Sequence, residues 1–292
     1  MQKKNLLFLT LISLSVMPLS GCNLGRKLIN KLTSGDPAYN LKADQKAINQ
    51  YYSNLEDGSF GNTFLTELRN HNLSMRQKTV GYNMMGTSPS GKFKFTDYDP
   101  STVQWNSDGV PFGTKILSFY TNATLTGMFS REHVWPASRL PGGRDDNVID
   151  NDIYTVRPES LNDNETRENY VYATGKANSS GWDPCTAFNS NDTSVRGDAA
   201  RCVFYCMLVD SGLVLNDSTA NNKNNMGKLT DLVQWSIDNP VSQKERRRNV
   251  GGQYLQGNRN PFVDHPEYVC KIWGDFNATT RSACNKANFA YK

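Results

Sequence analysis

The sequence has few histidines and few cysteines, and several metal-binding patterns are absent from it. Its 292 residues include three histidines, with no His-Glu-x-x-His pattern, which excludes the helical zinc site of many metalloproteases. Its six cysteines include no Cys-x-x-Cys pair, which argues against a structural zinc site. It also has no internal repeat, no low-complexity tract and no clear second domain boundary. Neither of these zinc-binding patterns therefore explains the chemistry of this chain.

The composition indicates a folded protein of nearly balanced charge. With 37% apolar and 21% charged residues, the chain can bury a sizeable core. The net charge is +4 and falls to +2 once Lys3 and Lys4 are removed with the N-terminal segment. Net charge alone therefore does not predict a nucleic-acid partner, and only local clustering of basic residues could do so.

The N-terminal segment has the pattern of an export signal. Lys3 and Lys4 precede an apolar run at residues 6–17 that is too short to anchor the chain across a bilayer. The segment closes on Leu19-Ser-Gly-Cys22, which resembles a bacterial lipoprotein signal, since a plain signal peptide needs no Cys at that boundary. We expect residues 1–21 to be removed, Cys22 to be lipidated, residues 22–40 to form a tether and residues 41–292 to form one domain. A lipid anchor would hold this domain outside the cytoplasm, at the surface or in the periplasm.

Five cysteines remain after Cys22, and five thiols cannot all pair within one chain. An exported location permits disulfides. Cys202 and Cys206 are four residues apart on one predicted helix face, where a direct bond is geometrically poor. We expect these two to be buried thiols.

Periodicity indicates one mixed domain of helices and short strands. Apolar spacing predicts helices over residues 41–56, 63–73, 196–208, 229–238 and 268–273. Alternation predicts strands at 92–95 and 115–120, and the charged run at 242–249 is expected to be a basic turn.

Residues 128–170 contain the side chains best suited to chemistry. Glu132 and His133 are adjacent on a predicted extended segment, so their side chains point to opposite sides. One can then hold a metal while the other faces a water. Asn164 offers a neutral amide oxygen, and a carboxylate, an amide and several waters suit Mg²⁺, with Mn²⁺ or Ca²⁺ as alternatives. His133 is the candidate general base, because a neutral imidazole can take a proton from water.

Three arginines fall in the same stretch, at positions 144, 157 and 167. Guanidinium groups stabilise charge on a phosphorane and bind backbone phosphates. We expect at most one or two of Arg144, Arg157 and Arg167 to be catalytic and the others to bind phosphate or brace the site. The combination predicts metal-assisted phosphodiester cleavage, although a single Glu-His pair recurs by chance and a lone histidine is usually structural.

Several separated segments resemble the endonuclease I family of exported bacterial nucleases, within the His-Me finger (ββα-metal) superfamily. Arg131-Glu-His-Val-Trp-Pro136 is similar to the family's Glu-His-x-x-Pro core, and Asp152-Ile-Tyr-Thr-Val-Arg-Pro158 to its Asp-Leu-His strand. Asn164-x-x-Arg167-x-Asn-Tyr170 follows at the expected distance, and two further signatures lie near residues 196–201 and 256–267. The resemblance implies an α+β single domain with helices packed around a His-Me finger core.

The resemblance also implies roles for matching positions. Glu132 and Asn164 would be the metal ligands, and His133 the general base. The arginine that stabilises the transition state follows a Gly-Gly pair in relatives, which points to Arg144, with Arg139 open as a substitute. Tyr154 stands where many relatives have His.

The basic segment 246–248 is similar to a family segment as well. It leaves two interpretations equally open, a structural role or contact of Arg246 and Arg247 with DNA.

The expectation is a lipid-tethered, monomeric, Mg²⁺-dependent endonuclease that cleaves DNA, and RNA as an open alternative, without sequence preference. The family implies products with 5′-phosphate ends. The rival hypothesis is a catalytically inactive surface lipoprotein that binds nucleic acid or a host ligand. The rival predicts that the ligand set has drifted, whereas Glu132, His133 and Asn164 are all present.

Overall fold

A buried helix, α6 (Ser194–Val209), lies at the centre of the fold, and 14 of its 16 residues are buried. The computed structural model describes residues 39–55, 58–143, 147–220 and 224–292. The remaining helices in this part of the chain are α1 (Leu41–Tyr51), α2 (Gly61–Met75), α3 (Tyr82–Met85), α4 (Leu161–Arg167), α5 (Pro184–Ala187), α7 (Leu229–Asp238), α8 (Gln243–Gln256), α9 (Pro261–Asp264), α10 (Tyr268–Trp273) and α11 (Ala278–Ala287). Helices α2, α7 and α9 pack against α6.

The strands are short and pair two by two within the described residues. They are β1 (Gln104–Trp105), β2 (Pro111–Phe112), β3 (Ile116–Leu117), β4 (Thr124–Leu125), β5 (Ser130–His133), β6 (Val156–Glu159), β7 (Ala177–Asn178), β8 (Gly181–Trp182), β9 (Val214–Asn216) and β10 (Asn225–Lys228). The α+β class and the single domain are confirmed. Helices α2, α6, α7 and α10 confirm predictions from periodicity, and α1 confirms its prediction with an earlier end.

Two local predictions are wrong. Residues 92–95 form a 3-10 turn rather than a strand, because Phe93 and Phe95 both find buried positions in the turn that follows Gly91. The basic segment at 242–249 is not a turn but the start of α8, since Ser242 and Glu245 form a reciprocal capping box there. The predicted strand at 115–120 is confirmed only for its first part, as β3.

A disulfide joins Cys270 in α10 to Cys284 in α11, and it ties the last helix to the domain. Cys202 and Cys206 are buried free thiols, as predicted. Within the described residues no helix combines the length and the apolar content needed to cross a bilayer. The predicted signal peptide, Cys22 and all but the last two residues of the tether lie outside the described residues.

Candidate active site

A hairpin followed by a helix carries the candidate catalytic residues. Strand β5 pairs antiparallel with β6, and the register places Glu132 opposite Arg157 and His133 opposite Val156. Helix α4 begins directly after β6, where the Ser160 hydroxyl accepts a hydrogen bond from a backbone N–H of the first turn. This β-β-α unit brings the end of β5 and the middle of α4 to one place.

One face of β5 presents Ser130 and Glu132, and this face contacts α4. The Asn164 side-chain nitrogen donates to Ser130 Oγ at 2.6 Å. That bond fixes the orientation of the amide, so Oδ1 is the atom that is left to act as a ligand. The two proposed ligand residues therefore meet across the strand-helix contact, although they are 32 positions apart in the sequence.

The Glu132 carboxylate is almost completely buried and held from two sides. Its Oε1 accepts a hydrogen bond of 2.6 Å from the Tyr120 hydroxyl and lies 3.6 Å from Arg167 Nε. Burial raises the pKa of Glu132 to about 7, against the opposing effects of the Arg167 charge and the Tyr120 hydrogen bond. A buried carboxylate of this kind gains stability from a nearby cation, which is the property expected of a metal ligand.

The opposite face of β5 presents Arg131 and His133, as strand alternation requires. The imidazole of His133 stacks on the Tyr82 ring with centroids 4.9 Å apart and planes inclined by 22°. His133 Nε2 lies 2.9 Å from Asp150 Oδ1, and both side chains are buried. The ring thus lies against an aromatic face, and its Nε2 atom approaches a carboxylate oxygen.

Sequence analysis missed Asp150 and Tyr82 as neighbours of the site. Asp150 follows an acidic run without a motif, and Tyr82 lies 51 positions before His133. Neither carried a signal of its own, because both act only through contacts that folding creates.

These residues border one open cleft of about 570 Å³. It brings together Glu132, His133 and Asn164, as the sequence predicted, and it adds neighbours from α3, β5, the segment that follows β5, and the end of α4. The lining is Tyr82, Ser130, Arg131, Glu132, His133, Pro136, Ala137, Ser138, Asn164, Glu168 and Asn169. A single molecule bound in the cleft could therefore contact carboxylate and amide oxygens, an imidazole and a guanidinium.

The donor set fits a hard divalent cation better than zinc. Within the described residues, no cluster of three or more His, Cys, Asp or Glu side chains is arranged to hold a metal. Glu132 and Asn164 instead provide one carboxylate and one amide oxygen beside open space, and an ion such as Mg²⁺ is commonly held by one or two protein oxygens, several waters and a phosphate oxygen.

Arg157 is not in the cleft, which corrects its expected contact with substrate. Its guanidinium is 1% exposed and makes hydrogen bonds of 2.6 and 2.9 Å to Asp198 and of 3.2 Å to Asp97. It also lies 4.1 Å from the centroid of the Phe119 ring. Because its donors are engaged by interior carboxylates, Arg157 braces β6 against α6.

Arg167 and Arg139 also point into the interior, and their expected phosphate contacts are corrected in the same way. Arg167 is fully buried, donates to the Tyr170 carbonyl at 2.6 Å and supports the Glu132 carboxylate. Arg139 is buried and donates to the Asn169 carbonyl at 2.5 Å. Burial and the charge of Arg167 lower the pKa of Arg139. Neither guanidinium lines the cleft.

Three further residues singled out in the sequence, Arg246, Arg247 and Tyr154, do not line the cleft. Arg246 and Arg247 belong to the first turns of α8, where Arg247 is buried near the Tyr98 ring, and neither lines the cleft. Arg144, the expected transition-state arginine, lies outside the described residues. Tyr154 is buried, and its hydroxyl donates to the carbonyls of Asn249 and Asn258. A packing role therefore accounts for the tyrosine at this position.

A β-β-α unit that presents a carboxylate, an imidazole and an amide to one cleft is an arrangement suited to a nuclease. The family model described as Endonuclease I matches residues 60–267, and the chain belongs to the endonuclease I family. All three residues, and the hairpin and helix that carry them, lie within the matched region.

Two curated relatives share about a third of their aligned residues with this chain. An extracellular ribonuclease of Bacillus amyloliquefaciens is 34% identical over 198 residues, which cover 62% of this chain and 65% of the relative. An extracellular ribonuclease of Bacillus subtilis (strain 168) is 32% identical over 207 residues, which cover 66% of this chain and 70% of the relative. The chain thus spans about two thirds of the length of each relative.

Proposed function

We propose that this protein is a divalent-metal-dependent endonuclease that hydrolyses phosphodiester bonds of both RNA and DNA without sequence preference. The observation that carries the proposal is the meeting of Glu132, His133 and Asn164 at one cleft, with the amide of Asn164 oriented by Ser130. The membership of the endonuclease I family supports the reaction class.

Glu132 and Asn164 would hold the cation, through a carboxylate oxygen and Oδ1. A Mg²⁺ ion, or Mn²⁺ or Ca²⁺ in its place, supplies charge neutralisation at the phosphate and at the leaving oxygen. Tyr120 and Arg167 keep the Glu132 carboxylate in one orientation through contacts of 2.6 and 3.6 Å to its Oε1. The Glu132 carboxylate is therefore already positioned to bind the metal before any substrate binds.

His133 would take the proton from the attacking water. Its Nε2 faces Asp150, so the Nδ1 atom accepts the proton when Nε2 carries one. The Tyr82 ring restricts rotation of the imidazole. Arg144 remains our proposed transition-state residue, and the inward orientation of Arg139 argues against the alternative that the sequence left open.

Two features support a broad substrate range. The lining of the cleft includes groups suited to contact a phosphate or a cation, and phosphate contacts position a nucleic acid without reading its sequence. The two curated relatives are named as ribonucleases, which supports RNA as a substrate beside DNA. If the activated water attacks the phosphorus in line with the P–O3′ bond, that bond breaks, the 3′ oxygen leaves as a hydroxyl, and the other product carries a 5′-phosphate end.

We also propose that the enzyme acts as a monomer outside the cytoplasm, tethered to the membrane by a lipid on Cys22. The sequence at residues 1–22 supports the tether, and the name of each relative includes the word extracellular. A tethered nuclease would act on nucleic acid in its immediate surroundings.

Digestion of supercoiled plasmid and of ribosomal RNA by the purified protein tests the proposal. We expect cleavage of both in Mg²⁺, its loss in EDTA and its return when the metal is restored. Glu132→Gln should be inactive while remaining folded, and the matched control Glu267→Gln, which changes a partly exposed glutamate that does not line the cleft, should cleave normally. Cleavage that persists in EDTA, or full activity of Glu132→Gln, would overturn the metal-dependent mechanism.

A further inference from the structure

Arg131 differs from the other arginines near the site because it lines the cleft. Of the cleft-lining residues in the described part of the chain, it is the only arginine, and no lysine accompanies it. Arg139, Arg157 and Arg167 direct their guanidinium groups to interior carbonyls and carboxylates. Arg131 is therefore the basic side chain that the described cleft lining offers to a polyanionic substrate.

Two contacts hold the Arg131 guanidinium in place. It lies 3.6 Å from the centroid of the Tyr82 ring, and its Nη1 atom donates to the Tyr82 carbonyl at 2.8 Å and to Asn83 Oδ1 at 3.3 Å. Stacking on an aromatic face is a favoured environment for a guanidinium plane. The Nε and Nη2 atoms of Arg131 have no hydrogen-bond or ion-pair partner among the described residues, because both of its hydrogen bonds come from Nη1.

The position of Arg131 in β5 places it beside the reacting groups. Arg131 and His133 are two residues apart on one face of the strand, about 7 Å along it, and both side chains contact the ring of Tyr82. An anion bound by Arg131 would therefore be a neighbour of the phosphate attacked near His133 rather than that phosphate itself.

We infer that Arg131 is a substrate-binding residue whose guanidinium, held on Tyr82, contacts a backbone phosphate that flanks the scissile bond. The inference rests on the proposed function and adds to it the residue that binds the substrate backbone. No described carboxylate pairs with Arg131, so its charge is available for a phosphate, whereas a purely structural arginine such as Arg157 is neutralised from within.

The salt dependence of binding measures this contact directly. Binding of a short fluorescein-labelled single-stranded DNA of mixed sequence to the full-length protein would be followed by fluorescence anisotropy in EDTA over a range of NaCl concentrations. Arg131→Gln should lower the slope of log affinity against log salt by about 0.7, the contribution of one phosphate on a single strand. Arg131→Lys keeps the charge and should keep most of the slope.

Arg281→Gln is the matched control, because Arg281 is an exposed arginine on α11 that pairs with Asp275 outside the cleft. Its slope should equal that of the wild type. Cleavage kinetics in Mg²⁺ give a second readout, in which Arg131→Gln should raise KM about 10-fold or more, as loss of a charge-assisted hydrogen bond does, with a smaller change in kcat.

The outcomes separate this inference from the proposed function. A wild-type protein that binds DNA but never cleaves it would overturn the proposed function, and the salt slope would still decide the role of Arg131. An unchanged slope and an unchanged KM in Arg131→Gln would overturn the inference. A lower melting temperature of Arg131→Gln with an unchanged slope would show that Arg131 is structural, which also overturns it.

Discussion

Arg157→Met should destabilise the fold without weakening nucleic-acid binding. Arg157 makes two hydrogen bonds to Asp198 and one to Asp97, and both carboxylates are buried. Although burial acts to raise it, the pKa of Asp198 is lowered, because Arg157 stabilises its charged form. The methionine would preserve the apolar contact with Phe119 but leave a buried carboxylate without its principal partner.

Removal of one partner from a buried ion pair costs about 3 to 5 kcal/mol. Since native domains are stable by only about 5 to 15 kcal/mol, this is a large share of the total. In a urea titration followed by tryptophan fluorescence, the midpoint should fall by at least about 1 M for a slope near 3 kcal/mol/M. Combining Arg157→Met with Asp198→Asn should cost less than the sum of the two single changes, because the second change removes the uncompensated charge.

The control for this prediction is Arg281→Met. The Arg281–Asp275 pair is solvent-exposed and 2.9 Å long, so its loss should cost less than about 1 kcal/mol. The salt slope of DNA binding should not change in either variant. A stability of Arg157→Met within about 1 kcal/mol of the wild type, together with a lower salt slope, would refute the structural role and restore Arg157 as a phosphate contact.

Three further predictions concern stability. Burial raises the pKa of the Glu159 carboxyl to about 7, so the folded state keeps a proton that the unfolded state has released, and this group should lower the free energy of unfolding in EDTA by up to about 3 kcal/mol as pH rises from about 4.5 through about 7. Burial raises the pKa of Glu132 to about 7 as well, so urea titrations at both ends of this range should show that Glu159→Gln removes about half of the total dependence. Cys284→Ser opens the link to Cys270, 14 positions earlier, and should cost about 3 kcal/mol, a loss that thermal unfolding should reveal and that Cys185→Ser should not reproduce. Gly251→Ala would place a methyl group 2.0 Å from a backbone oxygen of the 92–95 turn and should lower stability by about 1 to 3 kcal/mol or more in the same assay, and an unchanged melting temperature would contradict the close packing of α8.

The sequence predicted the contents of the cleft better than their surroundings. Glu132 and His133 could be placed because strand alternation separates neighbours, and Asn164 because it follows at the spacing seen in relatives. Their supporting contacts could not be predicted, since Tyr120, Tyr82 and Asp150 are brought to the site only by folding.

The arginines show a physical limit of sequence analysis. An arginine near a catalytic motif has the same local pattern whether it binds phosphate or a buried acid. The Arg157 guanidinium pairs in the interior with carboxylates that are 41 and 60 positions away in the sequence, which is farther than any local sequence pattern extends. Arg131 carried no separate signal within its motif, and only the cleft lining distinguishes it.

Helical periodicity was reliable where a helix is long and apolar, as in α6 and α7. It failed at 242–249, because basic residues on α8 are buried against acids and therefore do not follow the amphipathic pattern. Arg248 pairs with Asp97 and Glu245 with Arg201 in the interior. The alternation at 92–95 likewise cannot distinguish a strand from a 3-10 turn whose two phenylalanines are both buried.

The rate of single-turnover DNA cleavage by His133→Ala in Mg²⁺ measures directly whether this imidazole is the general base. The imidazole, held between Tyr82 and Asp150, is proposed to deprotonate the attacking water, and loss of a general base lowers the rate by about 10²- to 10⁴-fold. We predict a loss in this range, with DNA affinity and melting temperature close to those of the wild type. Cleavage by folded His133→Ala at the wild-type rate would contradict the account.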